Sequence, residues 1–165
     1  MQSPSPVSDL MQYVDVCIAN EEDAADVFNI RASDTDGSMG KVSQEGYKDV
    51  ARQLAERFAF RTVAITLRES ISANDNNWSA MLYTGGEYYF SRKYAPHIVD
   101  RVGGGDSFGA GLIFGELTGM GPQEALVFAT AASCLKHSVE GDFNMVTVEE
   151  VKKLASGNGS RRVQR

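Results

Sequence analysis

The chain has 165 residues, 42% of them apolar and 23% charged, and carries a net charge of −6. That length is enough for one domain with a real core, and the balance is that of an ordinary globular protein, neither disordered nor membranous. No basic stripe interrupts the acidic balance, which argues against a nucleic-acid partner; the longest apolar segment, residues 125–135, is broken by Thr130 and Ser133 and is too short to span a bilayer.

Residues 1–12 read as a Ser/Pro-punctuated leader, helical at most briefly, and show no basic region followed by an apolar run that would mark a secretory signal. Residues 13–19 read as a buried strand. Asn20-Glu21-Glu22-Asp23 then opens a helix continued by Ala24, Ala25, Val27 and Phe28; Asn is a capping residue, and three carboxylates suit the positive end of a helix dipole. Residues 30–41 form a solvated connection, whose Asp34-Thr35-Asp36-Gly37 lacks the further acids and closing Glu of a calcium loop. Ser43 caps an amphipathic helix to about Phe58, with Tyr47, Val50, Ala51, Leu54 and Phe58 on its apolar face. Residues 61–67 are a second buried strand, and the strand–helix rhythm predicts an α/β fold with a parallel sheet covered on both faces. Beyond it, the Arg68 guanidinium could pair with a phosphate, or equally with Glu69 or Asp75 at the surface.

Residues 78–83 and 87–90 predict a hairpin around Thr84-Gly85-Gly86, and their aromatic run is read as strand packing. An extended approach, residues 95–99, leads into Asp100-Arg101-Val102-Gly103-Gly104-Gly105-Asp106-Ser107-Phe108-Gly109-Ala110-Gly111, after which Ala110, Ile113, Phe114 and Leu117 recur at helical spacing. Glycines at such a bend let backbone N–H groups converge on one point, and the start of the helix adds its partial positive charge there, which makes an anion site. A carboxylate at its mouth repels an anion, but it is useful if Asp106 takes a proton from a hydroxyl that attacks a phosphorus held nearby. The plainer alternative is a Gly-rich turn whose Asp caps the helix. A Walker loop is excluded because no lysine closes the stretch; a dinucleotide fingerprint is excluded because Gly109 falls four residues after Gly105.

Gly111 and Gly115 lie on one helical face and are expected to let the helix sit close against the sheet. Pro122 starts the next helix, which runs to about His137 and has a smooth side of Ala129, Ala131, Ala132 and Ser133; His137, near the helix end, is expected to serve the dipole. Thr147 caps a last helix through Leu154, and residues 156–165 read as a loose tail. Cys17 and Cys134 each sit in an apolar segment, which suits buried thiols in a reducing cytosol and a cytoplasmic location.

The glycine stretch resembles the signature of the ribokinase-like sugar kinases, Asp-Thr-x-Gly-Ala-Gly-Asp followed by a glycine-rich helix, with Arg101 for Thr and Gly104 for Ala. Asp-Arg-Val-Gly-Gly-Gly-Asp is the form associated with 2-keto-3-deoxygluconate kinases. The resemblance runs from about Tyr13 onward and corresponds to the C-terminal half of that fold, a three-layer αβα arrangement with a mostly parallel sheet. It implies a catalytic and nucleotide-binding portion over residues 13–155. It further implies transfer of the ATP γ-phosphoryl to a small sugar acid, with Asp106 as base and Gly103, Gly104 and Gly105 as anion hole. Asn20, Glu22 and Asp23 would help hold Mg²⁺, although Asp23 stands where the family has Glu. Thr66 and Arg68 would lie near the nucleotide, where the family's two glycines are absent, and Ala132 and Lys136 would wall the adenine. Asp100 would line a monovalent-cation site for K⁺, or else pair with Arg101. The half that grips the sugar is missing, so the resemblance also implies a homo-oligomer or a need for that half. Alternatives are a fructokinase or ribokinase, or a nucleotide-binding module without catalysis.

Overall fold

The computed structural model describes residues 6–20, 44–71 and 75–157. The elements in order are α1 (Pro6–Leu10), β1 (Val16–Asn20), α2 (Gln44–Phe58), β2 (Thr62–Ser70), β3 (Asn76–Thr84), β4 (Glu87–Phe90), α3 (Gly104–Leu117), α4 (Pro122–Lys136) and α5 (Val148–Ala155). The strands hydrogen-bond in the order β1-β2-β3-β4. The chain divides into two compact units, Met1–Thr66 with Met81–Tyr88, and Leu67–Ala80 with Tyr89–Arg165.

In the first unit β1 runs parallel to β2, in register from Val16 opposite Thr62 to Asn20 opposite Thr66. A parallel pair needs a crossover, and the segment holding α2 supplies it. Val63, Ala64 and Ile65 of β2 are all buried, and burial of consecutive strand residues means that both faces are covered. β1 alternates instead, burying Cys17 and Ala19 while Ile18 stays exposed. The strand begins at Val16 and not at Tyr13 because Met11–Tyr13 closes a 3₁₀ turn, with Val14 N–H donating to the Met11 carbonyl at 3.1 Å. From α2, Val50, Ala51 and Leu54 are buried as expected, and Arg52 bridges Asp49 (2.7 Å) and Glu56 (3.0 Å) on the solvent side. The link from β2 to β3 is too short for a crossover, so those neighbours pair as a hairpin, and among the described residues parallel pairing is confined to β1 and β2. Gly85 and Gly86 join β3 to β4 with φ of 60° and 82°, the left-handed pair that a tight two-residue hairpin requires.

In the second unit Trp78, Tyr94, Phe128, Ala131, Ala132, Cys134, Leu135 and Val151 form one core cluster. α3 lies against α4 along a glycine seam. A Cβ on Gly111 would stand 2.8 Å from Ala129 Cα, and one on Gly115 would stand 2.7 Å from Ala125 Cβ. The two glycines therefore admit a helix, where the sheet was expected. The buried stripe of α3 is Gly104, Ser107, Phe108, Gly111, Leu112 and Gly115. Ala110, Ile113 and Leu117, whose helical spacing marked the element, are exposed, and of that set only Phe114 turns inward to stack on Phe128 at 5.1 Å. α5 opens with Thr147 in a full capping box with Glu150. Among the described residues no helix is long and apolar enough to cross a membrane.

Candidate active site

The turn before α3 uses each of its three glycines for a different reason. Gly103 is the N-cap in the left-handed region, at φ 77°, and a Cβ there would meet the Asp142 carbonyl at 3.0 Å and Lys136 Cε at 3.2 Å. A Cβ on Gly104 would stand 3.0 Å from His137 Cε1 and 3.1 Å from its Nε2, so this backbone lies close against the imidazole. Gly105 faces open space. The Gly104 N–H donates to the Arg101 carbonyl at 3.3 Å, and Ser107 N–H to the Gly103 carbonyl at 2.9 Å. Between them, the N–H groups of Gly105 and Asp106 find no backbone acceptor among the described residues, as expected of a helix's first turn.

Asp106 is the third residue of α3 and is exposed, and its carboxylate makes no hydrogen bond or ion pair with another described residue. The cap position belongs to Gly103, which has no side chain to offer, so the helix does not use Asp106 as its cap.

Behind the turn stands the C-terminal end of α4. Ser133 Oγ, fully buried, donates to the Gly104 carbonyl at 2.7 Å. His137 is buried too, and its Nδ1 donates to the Ser133 carbonyl at 2.8 Å. Burial pushes the His137 imidazole below its usual pKa, outweighing that hydrogen bond. A neutral ring cannot serve the helix dipole as a cation, so the expected dipole role gives way to packing against Gly104. The His137 carbonyl in turn accepts from Val99 N–H at 2.8 Å and Asp100 N–H at 3.3 Å. Asn144 Nδ2 donates to Ser107 Oγ.

The Asp100 carboxylate holds two backbone N–H groups, Val102 at 3.0 Å and Gly141 at 2.8 Å. These hydrogen bonds, Val102's foremost, keep it below the usual carboxylate range. Lys136 has no exposed surface, and its ammonium donates to the carbonyls of Val139 (3.0 Å) and Gly141 (2.7 Å). Ala132 is buried and turned to the seam with α3, where its Cβ lies 3.4 Å from the position of a Cβ on Gly111. Arg68 is exposed on β2. The two surface carboxylates it could have met are engaged elsewhere, Glu69 by Lys93 at 2.8 Å and Asp75 by His97 at 3.1 Å.

The second unit thus brings together Asp100, Gly103, Gly104, Gly105, Asp106 and Lys136. In the first unit Asn20 and Thr66 are register partners at the C-terminal end of β1. Glu22 and Asp23 lie outside the described residues, among which no cluster of three or more His, Cys, Asp or Glu side chains could hold a metal ion. Sequence reasoning missed Ser133, Asn144 and the 139–141 segment as supports of the turn. They lie about thirty or more residues from it, and nothing local marks them.

Comparison with known proteins places this geometry in a lineage. The model of the pfkB family of carbohydrate kinases matches residues 2–148. The curated 2-dehydro-3-deoxygalactonokinase of Haloferax volcanii is 30% identical over 159 residues, which are 94% of this chain and 43% of that protein. The crystal structure of 2-dehydro-3-deoxygluconokinase from Thermotoga maritima superposes with a TM-score of 0.83 at 48% identity, over 92% of this chain and 44% of that one. A PfkB family carbohydrate kinase from Listeria grayi follows at a TM-score of 0.76 and 34% identity, over 91% and 43%. The fold is the ribokinase-like α/β fold that the glycine motif implied. The chain spans less than half the length of each of these relatives.

Proposed function

We infer what this chain does from one premise: it belongs to the pfkB family of carbohydrate kinases. We propose that it is the C-terminal portion of an ATP-dependent sugar-acid kinase, with residues 13–155 as the nucleotide-binding and catalytic part between a leader (1–12) and a tail (156–165). The proposed acceptor is 2-keto-3-deoxygluconate, because two of the relatives are named as kinases of 2-dehydro-3-deoxy sugar acids.

One observation carries the reading. Among the described residues the exposed carboxylate of Asp106 has no hydrogen-bond or ion-pair partner, and it stands beside two N–H groups, those of Gly105 and Asp106, that find no backbone acceptor there. A side chain at Gly105 would meet nothing within 4 Å, which suits a ligand approaching the turn, and the positive end of α3 favours charge building up there in the transition state. Asp106 accepts the proton of the attacking sugar hydroxyl, and Gly103 and Gly104 hold the turn's shape. Arg68 offers a planar guanidinium to a phosphate, Thr66 a hydroxyl nearby, and Ala132 and Lys136 underlie the adenine wall. Asn20, Glu22 and Asp23 offer oxygen donors of the kind Mg²⁺ accepts, and exposed Asn20 fits such a role through a water. Bound Mg²⁺ would neutralise phosphate charge.

The test is Asp106→Asn in the active protein carrying this chain. Removing the base should lower kcat by about 10²–10⁴-fold. ATP affinity should hold or rise slightly, since a negative charge beside the phosphates is gone. The melting temperature should not move, because Gly103 occupies the cap. Turnover within a few-fold of wild type rejects Asp106 as the base. Competition among 2-keto-3-deoxygluconate, fructose and ribose tests the acceptor, and equal or reversed preference favours a fructokinase or ribokinase. ATP binding without turnover in every preparation selects a second reading, a nucleotide-binding module without catalysis.

A further inference from the structure

We propose that Lys136 is a positioning residue for the glycine turn, and that its ammonium takes, as part of the chain, the place of a monovalent cation beside Asp100. A potassium ion in a protein is held by converging backbone carbonyls, with a carboxylate for charge. Here the carbonyls of Val139 and Gly141 converge on Lys136 Nζ, at 3.0 and 2.7 Å. Gly141 is fixed from both sides, its carbonyl on Lys136 and its N–H on Asp100 Oδ2 at 2.8 Å. The other Asp100 oxygen accepts from Val102 N–H at 3.0 Å, one residue before Gly103. The lysine stem passes under the turn itself, with Cε 3.2 Å from where a Gly103 Cβ would be. Segment 139–141 and turn 100–103 are therefore tied through one buried cation and one carboxylate.

Charge and burial agree with this. A lysine with no exposed surface is unfavourable unless oxygens replace its lost water. Two of its three N–H donors have carbonyl partners, and its charge adds to the N–H groups that hold Asp100 ionised. Carbonyls already turned onto an ammonium do not serve a second cation at the same place, and two like charges there repel. The residues present thus do not fit an added K⁺ at Asp100, and the expected cation site is filled by the chain itself. That the positioned turn is the anion site rests on the reading given under Proposed function; the cation claim does not.

Ammonium and K⁺ are close in size and both take carbonyl oxygens, which supplies the test. Melting temperatures of wild type, Lys136→Ala and Lys136→Met are compared in KCl, NH₄Cl and choline chloride at equal ionic strength. Wild type should melt at one temperature in all three. Lys136→Ala should fall by about 5–15 °C in choline, as expected when a buried charge partner is lost, and recover part of the loss in KCl or NH₄Cl. Lys136→Met, whose side chain refills the space, should fall without cation-specific recovery. Specific stabilisation of wild type by K⁺ overturns the proposal, as does Lys136→Ala that regains nothing or fails to fold in every salt; an alanine variant that folds only with K⁺ or NH₄⁺ supports it. Asp106→Asn should leave the wild-type salt pattern intact, so a failure of the kinase reading and a failure of this one remain distinguishable.

Discussion

At Ser133 a buried hydroxyl reaches 2.7 Å to the Gly104 carbonyl, the only side-chain hydrogen bond from α4 to the turn among the described residues. Ser133→Ala removes the donor without adding bulk and is expected to cost about 0.5–1.5 kcal/mol, read from urea denaturation. Asp100 bears on pH. Its folded-state pKa lies below the unfolded one, so its stabilising contribution is present above the unfolded value of about 3.9 and is lost as pH falls through the folded value. Asp100→Asn should therefore flatten the acid limb of stability against pH, below about pH 4, and lower the neutral plateau by a constant. Urea midpoints across the acid range check this, and an unchanged limb removes Asp100 from the account. Cys134, whose thiol burial pushes up to about 12, should resist alkylation at neutral pH until the chain unfolds.

At the scale of elements, the α3–α4 seam decides between two opposed effects. Gly→Ala within a helix gains up to about 1 kcal/mol of propensity. A methyl group at Gly111 or Gly115, 2.8 or 2.7 Å from α4 atoms, instead forces the helices apart at about 1–3 kcal/mol. Either alanine variant should thus be net destabilised, as thermal unfolding would report. Ala59 gives the reverse case. It follows α2 at φ 59°, where a Cβ costs roughly 1–2 kcal/mol, so Ala59→Gly should raise stability despite the looser unfolded chain. These features also mark what the sequence could tell. The cap at Thr147, the proline opening α4 and the Gly85-Gly86 hairpin are written in contiguous residues, and each was legible. The buried face of α3 was not, because hydrophobic spacing selected Ala110, Ile113 and Leu117 while close helix packing selected the glycines on the other side. Likewise the glycine bend, with the helix that starts at it, was readable from its own residues. Its supports, Ser133, His137 and Gly141, depend on how α4 returns to it, and no local signal carries that.

For the whole molecule the informative surface is apolar. Leu117 is 83% exposed and Phe143 82%, with Ile113 and Met145 also in solvent, and among the described residues β1 stands at one end of the strand order with Ile18 exposed. Apolar patches and open strand edges recruit partners. The chain by itself is expected to self-associate as concentration rises, despite its net charge of −6. Light scattering over a dilution series would show this, and Ile113→Glu with Leu117→Glu should reduce it. A stable monomer at every concentration would contradict the expectation.

Trp78, the single tryptophan of the chain, sits in the core with its ring 4.9 Å from that of His137, edge to face, and its Nε1 has no hydrogen-bond partner among the described residues. An indole so placed emits at short wavelength, and a neutral imidazole beside it leaves it bright, whereas an imidazolium quenches. Acidification should therefore dim the native emission as His137 gains its proton, below the ordinary histidine range, and His137→Gln should abolish the dimming. The chain carries its own fluorophore against the ring that backs the Gly104 peptide, so changes at the turn become optical signals without any label.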